Sequence, residues 1–568
     1  MSKLKFGLWL VFLSGLAAGV FVAPSAPVGA APPNPPSNVI VGKPVTPVSF
    51  DGDLRQLPRL ATTDTVPLLR RPAAVPTPSA SKRAPLTNTA LARQTKIGAG
   101  RMPSPSVNFD GLDSMINASR LFPPDPNGDV GPNHYIQTVN VGIGIFSKTG
   151  TLLASFTYNS FFATALAPCN TGNHGDVIVL YDAQSDRWFI TDFAWTIGTG
   201  PYFECIAVSK TADPLSGGWW FYTVDIGSTT TPGVYWFPDY PKLGVWWDAI
   251  YMSANMFAGS TVVSARAYAF NRADLISGGV LRNVAIDVLG AYALLPSNLR
   301  GTAPPAGAPN YYAAVNPAGA LSLWEFSVPD WNNTSTATLT GPTNVPIASF
   351  AIPCVDPILG VLAACVPQLG GSSVDALGDL LMMQLQYRNR SGVESLWVNH
   401  TVAASSDVGY PTGIRWYEVR DPGGTPTIYQ QGTYQPDTNY RWTGSLAVDR
   451  DGNAALGFNV SSAAMYPAIR YTGRLLNDPL GTMGQGEVEI IAGGGSQIGS
   501  NRWGDYSAMT IDPTDDCTFW YTGEYYSTSG NVWRTRVAAF KVYPWCGSTP
   551  PVVSEIYYFP WVSKAASQ

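Results

Sequence analysis

The residues best placed to do chemistry are oxygen donors crowded just ahead of short apolar runs. In "DPNGDVGPN", Asp125, Asn127 and Asp129 recur at every second position and Asn133 follows at the ninth. Carboxylate and amide oxygens at that spacing resemble a calcium loop, which makes these three residues the metal-ligand candidates and Ca2+ the cofactor they would take. The match departs at two places. Val130 stands where such a loop needs Gly for its sharp turn, and Ile136 stands where it places a bidentate Glu. The competing reading is a surface turn before a strand, because Pro, Asn, Gly and Asp favour turns and "HYIQTVN" alternates. "DRDGN", Asp449 to Asn453, offers a second loop of the same kind.

Two further carboxylates, Asp505 in "NRWGDYS" and Glu524 in "WYTGEYY", are the candidates for an acid/base pair. Arg502 and Trp503 precede the first of them, and Arg441 and Trp442 stand in the same relation to "TGS". Arg would neutralise crowded acids, and Trp would offer a stacking platform to a sugar, although aromatic anchoring of a core is the competing duty. His-based zinc or copper chemistry is disfavoured by only three His, and no Cys spacing resembles a zinc site.

The elements that position these groups form a repeat. The "GDV" at Gly128 recurs as "GDVIVLYD" from Gly175, "PDYPKLGVWWD" from Pro238, "PNYYAAVN" from Pro309, "GDLLMMQLQY" from Gly378, "TGSLAVD" from Thr443 and "GDYSAMTID" from Gly504. Each copy is followed by a turn and a second alternating run. With Asp129, Asp176, Asp239, Asn310, Asp379, Gly444 and Asp505 as landmarks, the separations are 47, 63, 71, 69, 65 and 61 residues, room for four strands with long loops. No long helical periodicity interrupts them. An all-β, seven-bladed β-propeller over residues 106–546 is therefore expected. Its last module lacks a fourth strand, which "SVNFDGL" from Ser106 is expected to supply; a ring closed in this way protects its sheet edges, and a monomer is expected.

In such a ring the starts of the inner strands and the ends of the second strands share one face. Two rings of acids and amides are thereby expected at one mouth: the landmarks above, and Asn140, Asp192, Asn255, Glu325, Asn399, Asn459 and Glu524 around them. The ligand-binding candidates are Asp176, Asp239, Asn255, Asp379, Arg441, Trp442, Arg502, Trp503, Asp505 and Glu524, with Tyr240, Tyr311 and Tyr506 as neighbouring aromatics. Asp ahead of a strand also has a structural duty, since its carboxylate can accept backbone N–H bonds where blades meet.

Residues 1–30 read as a secretory signal peptide, with Lys3 and Lys5 ahead of an apolar run and small residues near Ala30; an uncleaved anchor is the alternative. Residues 31–105, rich in Pro, Ala and Ser, read as a disordered linker or propeptide. Of the formal −5, the leader contributes +2 and this tract +7, leaving −14 on residues 106–568 and arguing against nucleic acid as a partner. Six Cys in a secreted chain predict disulfides, paired within modules as Cys169–Cys205, Cys354–Cys365 and Cys517–Cys546.

"NGDVGPNHYIQTVN", "DYPKLGVWWDAIYMSAN" and "NRWGDYSAMTIDPTDDCTFWYTGEYY" resemble segments of a family of secreted, mostly uncharacterised bacterial proteins predicted to be propellers. The resemblance covers most of residues 106–545 and implies an extracellular protein; it brings no catalytic residues with it. "IYYFPWVSK" in the tail, residues 547–568, resembles a short sorting tag.

Two function classes stay open. One is a secreted or cell-surface propeller that binds a glycan, peptide or protein at an acidic central mouth. The other is an extracellular glycoside hydrolase or polysaccharide lyase using Asp505 and Glu524. Against the second, "SxDxGxxW" boxes, a "GxSxG" elbow and "HExxH" are all missing from the sequence.

Overall fold

Short runs rich in Val, Ile, Tyr, Phe and Trp, broken by Gly, Asp and Pro, form strands almost throughout. The structure, a computed structural model, describes residues 38–59, 92–116, 122–172, 174–196, 200–355, 363–378, 380–404 and 411–547. The expected leader, the sorting tag and Asp379 lie outside the described residues. Among the described residues the α-helices are the single turn Tyr158–Phe161 and Arg272–Ser277, and no helix is long and apolar enough to cross a membrane.

The sheets are the blades of a seven-bladed β-propeller. From the inside outward, blade 1 runs Asn127–Val130, His134–Val139, Gly142–Ser147 and Leu152–Thr157. The inner strands of the following blades are Ile178–Asp182, Phe237–Val245, Leu295–Leu299, Met382–Arg390, Tyr440–Val448 and Ala508–Ile511. Each inner strand touches the next, and the last touches the first, so the ring is closed. Blades 4 and 5 merge into one sheet because Ser297–Leu299 pairs in parallel with Leu385–Tyr387.

The closing strand is the expected one. Val107–Asp113 pairs antiparallel with Arg534–Phe540 as the outer strand of blade 7. Gln137 fastens the seam, accepting from the Leu112 N–H at 2.6 Å and donating to Thr522 and Thr535.

Two expectations are corrected. Part of the tract read as a disordered linker is built into the propeller: Val39–Val41 adds a fifth strand to blade 3, Val48–Phe50 one to blade 2, and Arg93–Gln94 a parallel strand to blade 5. Although Pro-rich, these stretches carry enough Val, Ile and Phe to cover an open edge. In blade 4 the inner strand is "LPSNL", Leu295–Leu299, and "PNYYAAVN" is the second strand. Asn310 and Glu325 therefore leave the two rings, one on a second strand and the other on a third.

The repeat has a backbone signature at the mouth. Asp125 (φ 48°), Asp176 (53°), Tyr240 (57°), Ala293 (52°), Leu377 (45°) and Thr443 (46°) are left-handed, one in each of blades 1 to 6. Such a conformation costs about 1–3 kcal/mol for an ordinary side chain and persists only where neighbours hold it.

Candidate site at the propeller mouth

Ring carboxylates and amides hold several of those residues. Asp125 Oδ1 accepts from the Asp505 N–H at 2.7 Å, and Asp125 Oδ2 accepts from Asn140 Nδ2 at 2.6 Å. Asn140 Oδ1 accepts from the Asp176 N–H at 3.0 Å, and Asp176 Oδ2 from the Tyr240 N–H at 3.2 Å. One chain of hydrogen bonds thus runs from blade 7 through blades 1 and 2 to blade 3. Asn255 extends the pattern to blade 4 by accepting from the Ala293 N–H at 2.7 Å. Asp192 and Glu524 perform the same duty inside their own blades, on the N–H groups of Gly175 (3.0 Å) and Gly504 (2.8 Å). Gly504 allows this approach, since a Cβ there would lie 2.9 Å from Pro126 Cδ.

Most of the candidates are already engaged by bonds or packing inside the protein. Asp125, Asp176, Asp505 and Glu524 are buried. The pair Arg441 and Trp442, proposed to face a ligand, is fully buried: Arg441 is clamped by Asp437 at 2.8 Å and Glu487 at 2.6 Å, while Trp442 packs edge-to-face on buried Trp503 at 5.4 Å. Tyr240, Tyr311 and Tyr506 are core as well. A Trp or Tyr next to a turn looks the same in sequence whether it turns inward or outward, and here bulk is needed to fill the space between blades.

The metal-ligand candidates are used in the same way. Asn127 Oδ1 accepts from the Val179 N–H at 3.2 Å. Asp129 accepts from the Tyr181 N–H (2.8 Å) and from Thr510 Oγ1 (2.5 Å), and pairs with the guanidinium of Arg300, which reaches across the channel from blade 4. A buried cation already stands against this carboxylate, and among the described residues no group of three or more His, Cys, Asp or Glu is disposed to hold a metal ion. In "DRDGN", Asp449 closes its own turn, accepting from the Asp451 and Asn453 N–H groups at 3.0 and 2.8 Å.

Below the mouth, Lys242 is buried with Nζ 3.0 Å from the ring centre of Tyr240 and 3.6 Å from that of Tyr506. Deeper, Asn298 bonds Gln384, and Gln384 Nε2 donates to the Met509 carbonyl at 2.8 Å. Arg300 and Lys242 were missed in the sequence because neither recurs between modules.

What faces outward is a smaller group. The Arg502 side chain is 39% exposed; its Nη2 lies 2.5 and 2.6 Å from the two oxygens of Asp505, and its Nε 2.9 Å from Asp375. Burial, opposed by the pull of Arg502 and aided by the charge of Asp505, pushes the Asp375 carboxyl up to about 7. The two acids in turn hold Arg502 firmly charged, Asp505 more strongly than Asp375. Half-buried Asp239, opposite Asn255 across its strand pair, stands on the same face. Burial also drives Glu524 and Asp192 well above the ordinary carboxylate range, and Glu204, beside Asp192 on the neighbouring strand, up to about 8.

All three expected disulfides are formed, Cys169–Cys205, Cys354–Cys365 and Cys517–Cys546, leaving no free Cys. The bonds staple blade 2, the loop before blade 5 and blade 7.

The class is thereby defined by the chain's own sheet order: an all-β, disulfide-bonded, seven-bladed propeller. No protein-family model and no curated protein matches the chain. Among solved structures it is similar to an α-L-arabinanase from Penicillium chrysogenum complexed with arabinobiose, at 10% identity, 68% of this chain, 99% of that one and a TM-score of 0.32. It is also similar to an α-L-arabinofuranosidase from Fusarium graminearum complexed with an iminosugar inhibitor, at 11% identity, 64% and 94% coverage and a TM-score of 0.32. An ulvan lyase follows at 10% identity, 76% and 80% coverage and a TM-score of 0.25. Likeness at this level assigns no activity.

Proposed function

We propose that this chain is an extracellular binding propeller that holds a glycan, peptide or protein ligand at its mouth through Arg502, Asp375 and Asp239. The ring of carboxylates behind them locks the blades. The observation that carries this reading is the state of the acids. Both oxygens of Asp505 face Arg502, and Glu524 is 1% exposed with one oxygen on the Gly504 N–H, so neither is presented to solvent as a catalytic pair. The group that remains reachable is a guanidinium fixed between two carboxylates, and this suits hydrogen-bonded recognition. Three disulfides fit an oxidising compartment.

The test is a glycan and peptide array on the full chain, followed by calorimetry of any hit with Arg502→Ala. At least tenfold weaker binding with an unchanged fold is expected. A hit indifferent to that substitution would remove the mouth from consideration.

A carbohydrate-active enzyme is the second reading. It is favoured by Glu524, whose raised pKa would keep it protonated as a general acid must be. Release of products from a polysaccharide panel, abolished in Glu524→Gln, would replace the binding reading with this one.

A further inference from the structure

On the face opposite the mouth, where the inner strands of blades 5 and 6 end, a cleft of about 40 Å³ opens between the two blades. Its charged lining is unbalanced: Arg388, Arg390, Arg420 and Arg474 against Glu418 and Asp449. On a propeller whose residues 106–568 sum to −14, a local excess of guanidinium stands out.

The four arginines differ in what satisfies them. Arg388 is paired with Asp516 at 2.7 Å and donates to the Val448 carbonyl. Arg420 is paired with Glu418 at 2.7 Å, and its guanidinium lies 3.2 Å from the ring centre of Tyr429, which is 41% exposed at the rim. Arg474 and Arg390 meet no carboxylate among the described residues. Arg474 is 1% exposed and, among the described residues, donates to the backbone carbonyls of Thr482 and Asp478, at 3.2 and 2.8 Å. Half-buried Arg390 makes one long bond, 3.4 Å, to the Asp451 carbonyl. Glu418 is paired with Arg420 and bonded by Gln430 at 2.5 Å, and it and Asp478 act on Arg474 only through their charge, without a direct ion pair.

A buried guanidinium with no direct ion pair is costly, and a planar fork of donors facing a cavity matches an oxyanion. The volume admits a small anionic group. We propose that this cleft binds a single oxyanion, a carboxylate or sulfate group, between Arg390 and Arg474, either as a free ion or carried by an acidic sugar. The site is separate from the mouth and does not depend on its reading.

Calorimetry of the full chain at fixed ionic strength tests this, with inorganic sulfate, an oligogalacturonate, a sulfated oligosaccharide and a neutral glucan as probes. Saturable binding of one or more anionic probes, and none of the glucan, is expected. Arg390→Gln should weaken it at least tenfold. Sulfate alone would identify a free ion as the ligand; tighter binding of an acidic oligosaccharide would identify the sugar-borne group. Because Arg474→Gln removes a buried side chain, half-buried Arg390 carries the decision. Absence of binding by every anionic probe, or wild-type affinity in Arg390→Gln, would overturn the proposal.

Discussion

The Asp125 carboxylate accepts the backbone N–H of Asp505 at 2.7 Å across 380 positions of sequence, and this bond ties blade 7 to blade 1 at the mouth. The same carboxylate takes Asn140 Nδ2, so one buried side chain secures both the ring closure and the start of its own blade. Asp125→Ala takes the carboxylate acceptor from the buried Asp505 N–H and leaves Asn140 Nδ2 with only its bond to the Pro123 carbonyl. It is expected to cost about 2–4 kcal/mol in urea unfolding, as hydrogen bonds to a charged group are lost. A loss under about 0.5 kcal/mol would show that the seam is held by the Val107–Asp113 strand alone.

The pair Asp129–Arg300 makes a second prediction. Arg300→Met leaves a carboxylate buried without its cation and should cost about 3–5 kcal/mol. Asp129→Leu combined with Arg300→Met should cost less than Arg300→Met alone. For the same reason, thermal unfolding in calcium and in a chelator should give the same Tm; a calcium-dependent rise would return Asp125, Asn127 and Asp129 to the role of metal ligands.

Glu204 predicts a pH dependence. Burial holds its carboxyl up to about 8 in the folded chain, against an ordinary value of 4.5 when unfolded. Between those values the folded state carries a proton that the unfolded state lacks, so this group's contribution to stability falls as pH rises from about 4.5 to about 8. Glu204→Gln removes that slope. The stability of the variant relative to the natural chain should therefore grow across this window by an amount on the order of a few kcal/mol, read from chemical unfolding at pH 5, 6.5 and 8. A constant difference would mean that Glu204 titrates normally.

Truncation separates the two parts of the N-terminal tract. Removing residues 1–59 uncovers the outer edges of blades 2 and 3 and takes Leu54 out of the core, and should lower Tm while leaving a cooperative transition. Removing residues 1–116 also deletes Val107–Asp113 and with it the closure of blade 7, and should abolish cooperative unfolding. Equal behaviour of the two truncations would show that the seam is dispensable.

Much of this architecture was legible in the residues. The recurrence of "GDV"-like starts gave the number of blades, and the missing fourth strand of the last module pointed to "SVNFDGL". Blade 4 was misread because its inner strand, "LPSNL", carries neither the acid nor the alternation of its counterparts, whereas "PNYYAAVN" carries both. The strands added by Val39–Val41 and Val48–Phe50 were hidden by the Pro around them, since pairing to a distant edge leaves no local pattern.

The candidate site divides along the same line. Residue type and spacing identified the carboxylates of the mouth and their capacity to accept backbone N–H bonds, because that chemistry belongs to an Asp beside a turn wherever it sits. Which of them a ligand could reach was decided only by the tertiary structure. Arg441 and Arg502 have the same local sequence, Arg followed by Trp, yet Arg441 is sealed between Asp437 and Glu487 and Arg502 emerges beside Asp375. Sequence fixes what a side chain can bond, and the packing of blades distant in the chain fixes which of those bonds are already made.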